Sequence, residues 1–235
     1  MSAPLRLESG AVQVSVQGVS LALRASGAVW LATHQTLVVA DLHLEKGSAY
    51  AARGQMLPPY DTRETLRRLA REVAALAPRQ VIFLGDTLHD GRAEMRIAPE
   101  DAEALSDLAA GLDLVWVVGN HDADGPVNLP GRCVQTVEID ALILRHEPQS
   151  GPQPGEMAGH LHPCAKVKGR GRSVRRRCFA TDGTRLILPA FGAYAGGLNV
   201  RDAAFKPLFA KPPLAGVLGT DMVHLIDWSQ LLADG

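Results

Sequence analysis

Apolar and polar residues alternate along the first part of this 235-residue chain. Val12, Val14 and Val16 are separated by polar residues, and short apolar groups follow at 21–23 and 29–31. A period of two residues is typical of a strand with one buried face. The pattern therefore predicts short antiparallel strands at the start of the chain.

The pattern changes after residue 35 to continuous apolar runs, which are typical of strands buried on both faces. These runs lie at residues 36–40, 80–84 and 114–118. Between them, apolar residues recur every three or four positions across 61–77, which predicts a helix with Asp61 as its N-cap. A second helix is expected at 99–110, with Pro99 in its first turn. The order strand, helix, strand, helix, strand predicts an α/β fold.

The later part of the chain is again rich in strand patterns. Strands are expected at 137–144, 178–181, 186–188 and 222–226, with Asp182-Gly183 as a hairpin turn. The glycine-rich segment 192–197 lacks the lysine and hydroxyl residue of a phosphate-binding P-loop, so it is interpreted as a plain turn. We expect a single domain over residues 1–235.

The charge, the cysteine content and the length of the apolar runs limit the classes of protein to which the chain can belong. The net charge of −1 and the pI near 6.7 exclude a protein that coats nucleic acid through its overall charge, so any polyanion site must be local. The three cysteines lack a CxxC spacing, which favours reduced thiols. There is no signal peptide pattern and no apolar run of membrane-spanning length. We expect a soluble cytoplasmic protein without a membrane partner.

Five groups of polar residues follow apolar segments: Asp41-Leu42-His43, Gly85-Asp86, Gly119-Asn120-His121-Asp122, His146, and Gly159-His160-Leu161-His162. Ligand sites in open α/β sheets form beyond the carboxyl ends of strands, so these groups are expected to converge on one crevice. In an extended segment, residues i and i+2 face the same side, which would let each Asp-x-His or His-x-His pair present two ligands. Carboxylate, imidazole and amide ligands favour manganese, iron or zinc ions.

The chemistry expected of this set is two-metal hydrolysis. Asp86 can give one oxygen to each ion, and the ions would activate a water and polarise a phosphoryl group. His121 is the candidate that is not a ligand; it would neutralise the phosphate or protonate the leaving oxygen, with Asp122 or Asp90 holding its other ring nitrogen. The remaining histidines are interpreted as structural or surface residues: His34, His89 and His224.

These motifs resemble the calcineurin-like metallophosphoesterase superfamily, whose pattern is D-x-H, GD, GNH[DE], H and GH-x-H. The resemblance implies an α/β/β/α sandwich of two mixed sheets flanked by helices. It also implies that one metal is held by Asp41, His43, Asp86 and His162, and the other by Asp86, Asn120, His146 and His160. By the same resemblance, His121 and Asp122 are the catalytic candidates.

The chain is more closely similar to the bacterial ligase-associated DNA-damage-response endonucleases. The phrases that carry this likeness are Ala-Asp-Leu-His-Leu at 40–44, His-Glu-Pro at 146–148 and Leu-Pro-Ala-Phe-Gly at 188–192. The likeness implies a manganese-dependent endonuclease that acts on DNA, and we expect single-stranded DNA as its substrate. It also implies a role in DNA repair, with a ligase or helicase as functional partner. The sequence departs from this family at Glu45, where glycine is usual, and at 87–90, which reads Thr-Leu-His-Asp.

A basic segment bears on the substrate. It contains Lys166, Lys168, Arg170, Arg172, Arg175, Arg176 and Arg177. Beside a phosphoesterase centre, such a strip would track a nucleic-acid backbone, whereas the alternative is a solvated loop or hairpin. Two other functions stay open: a phosphatase or phosphodiesterase for a small molecule such as a nucleotide, and a catalytically silent binding module. A homo-oligomer also stays open.

Overall fold

The structure is a computed structural model that describes residues 5–7, 9–55, 57–58, 60–122, 124–169 and 171–234. Two mixed β-sheets form its centre. The first sheet contains, in spatial order, β1 (Leu5–Arg6), β2 (Val12–Val16), β3 (Val19–Leu23), β4 (Val29–Leu31), β5 (Thr36–Val39), β6 (Gln80–Leu84), β7 (Asp113–Val117) and β8 (Arg132–Val134). Strands β5 to β8 are parallel, whereas β1 to β5 pair antiparallel.

The second sheet comes from the later part of the chain. It contains β9 (Val137–Ile139), β10 (Leu142–Arg145), β11 (Glu156–Ala158), β12 (Cys164–Lys168), β13 (Ser173–Thr181), β14 (Leu186–Ile187), β15 (Leu214–Leu218), β16 (Val223–Ile226) and β17 (Leu231–Leu232). Strand β11 pairs parallel with β10 and with β14, and β12 forms a hairpin with β13. The parallel strands of both sheets end at the crevice that holds the candidate site.

The main core lies between the two sheets. Side chains of the first sheet, such as Ile82 and Val115, belong to the same buried cluster as Leu144, Met157 and Phe179 of the second. Each large apolar side chain buried in this way contributes roughly 1.5–3 kcal/mol relative to exposure. The predicted sandwich of two mixed sheets is therefore confirmed.

Helices cover the outer face of the first sheet: α1 (Lys46–Ala51), α2 (Asp61–Leu76) and α3 (Pro99–Ala109). Leu69 and Leu105 pack on this face beside Phe83 and Trp116, whose rings stack at 4.0 Å. On the second sheet, a 3-10 turn around Phe205 packs against buried side chains such as Ala180 and Val217. Within the described part of the chain, none of the helices combines the length and apolar character that a membrane crossing requires.

Several local predictions need correction. The expected strand 137–144 is two strands, because Asp140 takes a left-handed φ of 52° and reverses the chain so that Ile139 pairs with Leu142. Asp61 is the first residue of α2 and not its cap; its carboxylate accepts the N–H of Gly47 at 2.9 Å. The strand expected at 178–181 begins earlier, at Ser173, because β12 pairs with it.

Candidate metal centre

The candidate metal ligands follow the carboxyl ends of five strands. Asp41 comes after β5, Asp86 after β6 and Asn120 after β7, while His146 directly follows β10 and His160 follows β11. Because the parallel strands of each sheet share an edge, these positions meet at one rim of the sandwich. The predicted convergence of the five groups is observed.

Three groups of ligand atoms lie at this rim; two of them share no residue and lie side by side, and the third, His43, Asp86 and His121, overlaps both. Asp41, His43 and His162 offer atoms that lie within 4.8 Å of one another, and Asp86, His146 and His160 do the same. In the first cluster, Nε2 of His162 lies 3.3 Å from Oδ1 of Asp41 and 3.3 Å from Nε2 of His43. In the second, Nε2 of His146 lies 3.4 Å from Oδ1 of Asp86 and 3.2 Å from Nδ1 of His160.

Asp86 lies between the clusters. Its Oδ1 faces His146, and its Oδ2 lies 3.9 Å from Nε2 of His43 and 4.0 Å from Nε2 of His121. The backbone N–H of His121 also donates to Oδ1 at 2.9 Å. One carboxylate that faces both clusters with different oxygens has the geometry expected of a bridging ligand.

The ligand-bearing segments are not extended, which corrects the expectation that each pair would lie along a strand. Positive φ angles occur at Asp41 (53°), His43 (46°), Asp86 (44°), His160 (67°) and His162 (46°). Left-handed backbone at residues other than glycine costs roughly 1–2 kcal/mol each and clusters at functional sites. As a result, His160 and His162 point to different clusters, whereas Asp41 and His43 share one.

Glycines leave room for the ligands. A Cβ at Gly85 would lie 2.2 Å from Nδ1 of His146, one at Gly119 would lie 2.3 Å from Oδ1 of Asp86, and one at Gly159 would lie 2.4 Å from Oδ2 of Asp41. Real Cβ atoms do not approach other atoms so closely. The glycine of each motif is therefore a steric requirement of the neighbouring ligand.

Backbone groups fix the orientation of the rings. Nδ1 of His146 lies 3.2 Å from the carbonyl oxygen of Leu84, and Nδ1 of His162 lies 3.1 Å from that of Gly196. Because a carbonyl only accepts, Nδ1 of each ring carries the proton, and Nε2 faces the cluster. The segment 192–197, interpreted from its glycines as a plain turn, thus positions a candidate ligand.

The electrostatics of the clusters reflect deep burial. Burial, followed by the charge of His162, lowers the pKa of His43 to about 3. Burial also lowers the pKa of His146, but its bond to Asp86 and the charges of Asp41 and Asp86 outweigh burial and raise the pKa to about 9. For Asp86, burial raises the pKa, yet the bond to His146 and neighbouring groups lower it overall. The carboxylate of Asp86 thus remains charged although it is buried.

The donor set fits divalent ions. Asp41 is 0% exposed and Asp86 3% exposed, and buried carboxylates require cationic partners. The partners around them are imidazole nitrogens that face one another at 3.2–3.3 Å, which is a separation suited to sharing a cation. Nitrogen and oxygen donors without thiolate match manganese, iron or zinc.

His121 lies at the open side of the site with 48% of its side chain exposed. Its Nδ1 lies 2.9 Å from the carbonyl oxygen of His89, so neither Asp122 nor Asp90 holds this ring as expected. The carboxylate of Asp122 instead accepts three backbone N–H groups, from Thr87, Leu88 and Gly119. The carboxylate of Asp90 pairs with Arg96 at 2.9 Å.

His89 belongs to the site, although its sequence context suggested a structural or surface residue. Its ring centroid lies 5.7 Å from that of His43, 5.6 Å from that of His121 and 6.1 Å from that of Tyr50. Burial and then the charge of Lys46 lower the pKa of His89. The sequence feature that could have indicated this role is the position of His89 three residues after Asp86. By contrast, His34 pairs with Asp140 away from the clusters, at 2.7 Å.

The basic segment forms the β12–β13 hairpin, in which Lys166 lies opposite Arg175. Lys168, Arg172, Arg175 and Arg176 are exposed and Lys166 is half-buried; Arg170 lies outside the described residues. Arg177 turns inward and donates to the carbonyl oxygens of Ala190 at 2.8 Å and Gly192 at 3.0 Å. The hairpin is thus mainly a solvated basic surface, and Arg177 supports the fold.

The family of the chain follows from comparison with known proteins. The family model of calcineurin-like phosphoesterases matches residues 34–175, and the chain belongs to this family. The chain is similar to the solved structure of Pseudomonas putida nuclease MPE, with 29% sequence identity, a TM-score of 0.71, and coverage of 92% of this chain and 100% of that one. The family membership predicted from the motifs is confirmed, and the chain is a phosphoesterase of the metal-dependent kind.

Two further solved structures show weaker likeness. The E. coli phosphoesterase Yfce is 17% identical with a TM-score of 0.37, over 84% of this chain and 96% of that one. A predicted phosphoesterase from Streptococcus pneumoniae is 14% identical with a TM-score of 0.29, over 82% and 96%. None of the curated protein sequences compared with the chain matches it significantly.

Proposed function

We propose that this protein is a metal-dependent endonuclease that hydrolyses phosphodiester bonds of DNA, with single strands as the preferred substrate. The observation that carries the proposal is the pair of ligand clusters with Asp86 between them. The similarity to Pseudomonas putida nuclease MPE supports a nucleic-acid substrate. A role in DNA repair beside a ligase or helicase, and a cytoplasmic location, belong to the proposal through the family resemblance.

In this proposal the clusters hold two divalent ions, preferably Mn²⁺. Asp41, His43, Asp86 and His162 hold one ion, and Asp86, Asn120, His146 and His160 hold the other. When bound, such ions supply Lewis-acid activation of a water and of the phosphoryl group. The chain contributes rigid ligand positions, because the glycines of the motifs and the backbone bonds to His146 and His162 leave the side chains little freedom.

His121 acts on the substrate side. The His89 carbonyl holds its Nδ1–H, which leaves Nε2, 4.0 Å from Asp86 Oδ2, open to the crevice. When Nε2 is also protonated, the imidazolium would neutralise charge on the phosphoryl oxygens or give the Nε2 proton to the leaving oxygen. Asp122 contributes by fixing the segment 86–88 that carries Asp86, since it accepts the N–H groups of Thr87 and Leu88 at 2.8 and 3.0 Å.

The exposed cations of the β12–β13 hairpin supply the local polyanion surface in this proposal. The hairpin directly follows His162 along the chain, and its first strand, β12, begins two residues after that candidate ligand. Contacts of this kind add salt-dependent affinity without base preference. The residues assigned to them are Lys166, Lys168, Arg170, Arg172, Arg175 and Arg176.

The test is cleavage of single-stranded circular DNA by the purified protein with Mn²⁺, with His121→Ala as the matched control. Nicking of the circle by the wild type, and its loss in the variant, is the expected result, since a circle offers no end to an exonuclease. Intact circular and linear DNA together with turnover of small phosphate esters would replace the proposal by a small-molecule phosphoesterase. No turnover of any ester would indicate a silent binding module.

A further inference from the structure

A second polar cavity, of about 470 Å³, lies next to the metal centre at the same rim of the sandwich. Arginines from three separate elements line it: Arg68 and Arg71 from α2, Arg24 from the turn after β3, and Arg177 from β13. None of these residues belongs to the candidate metal ligands. The cavity is therefore distinct from the metal centre, and arginine is a side chain that suits recognition of an anion such as phosphate.

The register of the strands places this cavity beside Asp41. Strand β4 pairs antiparallel with β5 so that Val29 lies opposite Val38, which puts the turn that contains Ser26 at the edge where Asp41 follows β5. The segment 190–192 separates the two sites. Phe191 N–H donates to Ala40 O at 2.7 Å, and Gly192 N–H donates to Asp41 O at 3.2 Å, while Arg68 and Arg177 bond to the same segment from the other side.

Two of the arginines, Arg68 and Arg177, lie together in the lining. Arg68 donates to the carbonyl oxygen of Phe191 and stacks over its ring at 4.6 Å from the centroid, and Arg177 bonds to carbonyl oxygens of residues 190–192. Among the described residues, neither guanidinium forms an ion pair. Burial and then the like charge of Arg177 lower the pKa of Arg68 to about 10, although the charge of Glu64 acts in the opposite direction. An anion that enters the cavity would be attracted to both guanidinium groups.

The acidic groups of the cavity do not balance its arginines. Glu72 forms an ion pair with Arg24, and Asp221 is exposed at the mouth. Arg71 is exposed one turn of α2 after Arg68, and the described side chains offer it no hydrogen bond or ion pair. The described lining therefore carries four arginines against two carboxylates, which leaves it with a net positive charge.

We propose that this cavity binds a backbone phosphate of the polynucleotide at a position flanking the phosphodiester in the metal centre. This inference rests on the proposed function, because it assumes a substrate with more than one phosphate. Arginine suits the role, since its planar fork binds phosphate oxygens in pairs. A strand that enters at the cavity would cross segment 190–192 and continue into the crevice of Asp41 and Asp86.

The experiment compares Arg71→Ala and Arg68→Lys with wild type and with Arg79→Ala. Arg79 is an exposed arginine just before β6, at the end of the strand that lies away from the metal centre. Its replacement by alanine removes one positive charge, as Arg71→Ala does. Binding of a fluorescent single-stranded oligonucleotide to metal-free protein is measured by anisotropy over a range of salt concentrations. Cleavage kinetics with Mn²⁺ are measured on the same oligonucleotide and on bis(p-nitrophenyl) phosphate, which has no second phosphate.

We expect Arg71→Ala to weaken oligonucleotide binding about two- to fivefold and Arg68→Lys about tenfold. The slope of log K against log salt should fall in magnitude by about 0.7 for Arg71→Ala. Both variants should raise KM for the oligonucleotide more than KM for the small ester. Arg79→Ala should match the wild type in all of these measurements.

Equal effects of Arg71→Ala and Arg79→Ala would overturn the inference, because the affinity would then follow net charge alone. No effect of either variant would also overturn it, because the strand would then not contact Arg71. Competition of inorganic phosphate with the oligonucleotide shows whether the cavity binds a free phosphate or a phosphate of the strand. If Arg71→Ala loses phosphate binding but keeps oligonucleotide binding, the pocket serves a free anion and the inference is wrong. If the wild type cleaves no DNA, the proposed function fails, and the anisotropy comparison still decides whether the pocket binds a strand.

Discussion

The backbone N–H of His160 donates to both carboxylate oxygens of Asp41, at 3.1 and 3.0 Å, across the boundary between the two sheets. This bond joins the segment after β5 to the segment after β11. It brings a carboxylate of one cluster into contact with a residue whose ring belongs to the other. The two halves of the candidate centre are therefore positioned by each other, and a small change at this contact should disturb both.

Gly159→Ala tests that contact. The added Cβ would lie 2.4 Å from Oδ2 of Asp41 and 3.0 Å from Cβ of Ala40, so the carboxylate has to move. Because a displacement of about 1 Å can cost on the order of 10²-fold in rate, we expect kcat/KM to fall by about that factor. Gly111→Ala is the matched control, since nothing lies within 4 Å of its added Cβ. Wild-type activity in Gly159→Ala would contradict the assigned role of Asp41.

Asp86→Ala should reduce activity further than His121→Ala. Asp86 faces both clusters, whereas His121 is exposed and assists one charge or one proton transfer. We expect His121→Ala to lower kcat by about 10²–10⁴-fold and Asp86→Ala to reach background. Metal content after dialysis is the second readout: His121→Ala should retain both ions, and Asp86→Ala should lose them. An active Asp86→Ala protein with two ions bound would refute the bridging assignment.

Asp122 should prove to be a positioning residue. Its carboxylate is buried and accepts the N–H groups of Thr87, Leu88 and Gly119 at 2.8, 3.0 and 2.9 Å. Asp122→Ala leaves these donors without an acceptor, so the free energy of unfolding should fall by about 2–4 kcal/mol. Because His121 is exposed, His121→Ala should change the free energy of unfolding by less than about 0.5 kcal/mol. Urea denaturation of metal-free protein measures both, and unchanged stability in Asp122→Ala would instead favour a direct catalytic role.

The sequence predicted those parts of the molecule that depend on local patterns. Continuous apolar runs predicted β5, β6 and β7 within one residue, because a strand buried on both faces leaves an unmistakable run. The ligand groups were found for a related reason, since each follows the end of such a strand. Helix α2 was predicted over 61–77 and ends one residue earlier, at Leu76.

The features that were missed depend on contacts between distant segments. The left-handed φ angles at Asp41 and His162 have no local sequence signal, because such angles usually belong to glycine. His89 enters the site only because the segment after β6 packs against α1, where Tyr50 approaches its ring. The inward turn of Arg177 likewise depends on carbonyl groups of residues 190–192, 13 to 15 positions away.

Metal binding should stabilise the folded protein. Asp41 is 0% exposed, and its carboxylate accepts the backbone N–H of His160 and lies near ring nitrogens of His146 and His162. A bound cation would add a positive charge beside this buried carboxylate. Mn²⁺ at 100 times its Kd should add about 2.7 kcal/mol to the free energy of unfolding. Asp41→Asn should lose much of this gain, whereas Asp140→Asn, an exposed change beside His34, should keep it. Thermal denaturation with and without Mn²⁺ measures the difference, and an equal gain in both variants would exclude Asp41 as a ligand.

Arg176→Ala and Arg177→Ala should separate the solvated cationic surface of the hairpin from the support that Arg177 gives to segment 190–192. Arg176 is exposed on the hairpin, so its loss should reduce the magnitude of the salt slope of single-strand binding by about 0.7 and leave stability unchanged. Arg177 donates to the carbonyls of Ala190 and Gly192, and Gly192 is bonded to Asp41. Its loss should lower the free energy of unfolding by about 1.5–3 kcal/mol.

The kinetic consequence distinguishes the two arginines further. Because segment 190–192 supports Asp41, Arg177→Ala should slow the turnover of a small ester as well as that of DNA, whereas Arg176→Ala should act mainly on DNA affinity. Arg177→Lys is the conservative control, since it keeps one donor for the carbonyls and should recover part of the lost stability. If Arg177→Ala alters DNA affinity alone, with stability and small-ester turnover intact, the inward bonds of Arg177 do not support the centre and the residue belongs with the cationic surface of the hairpin.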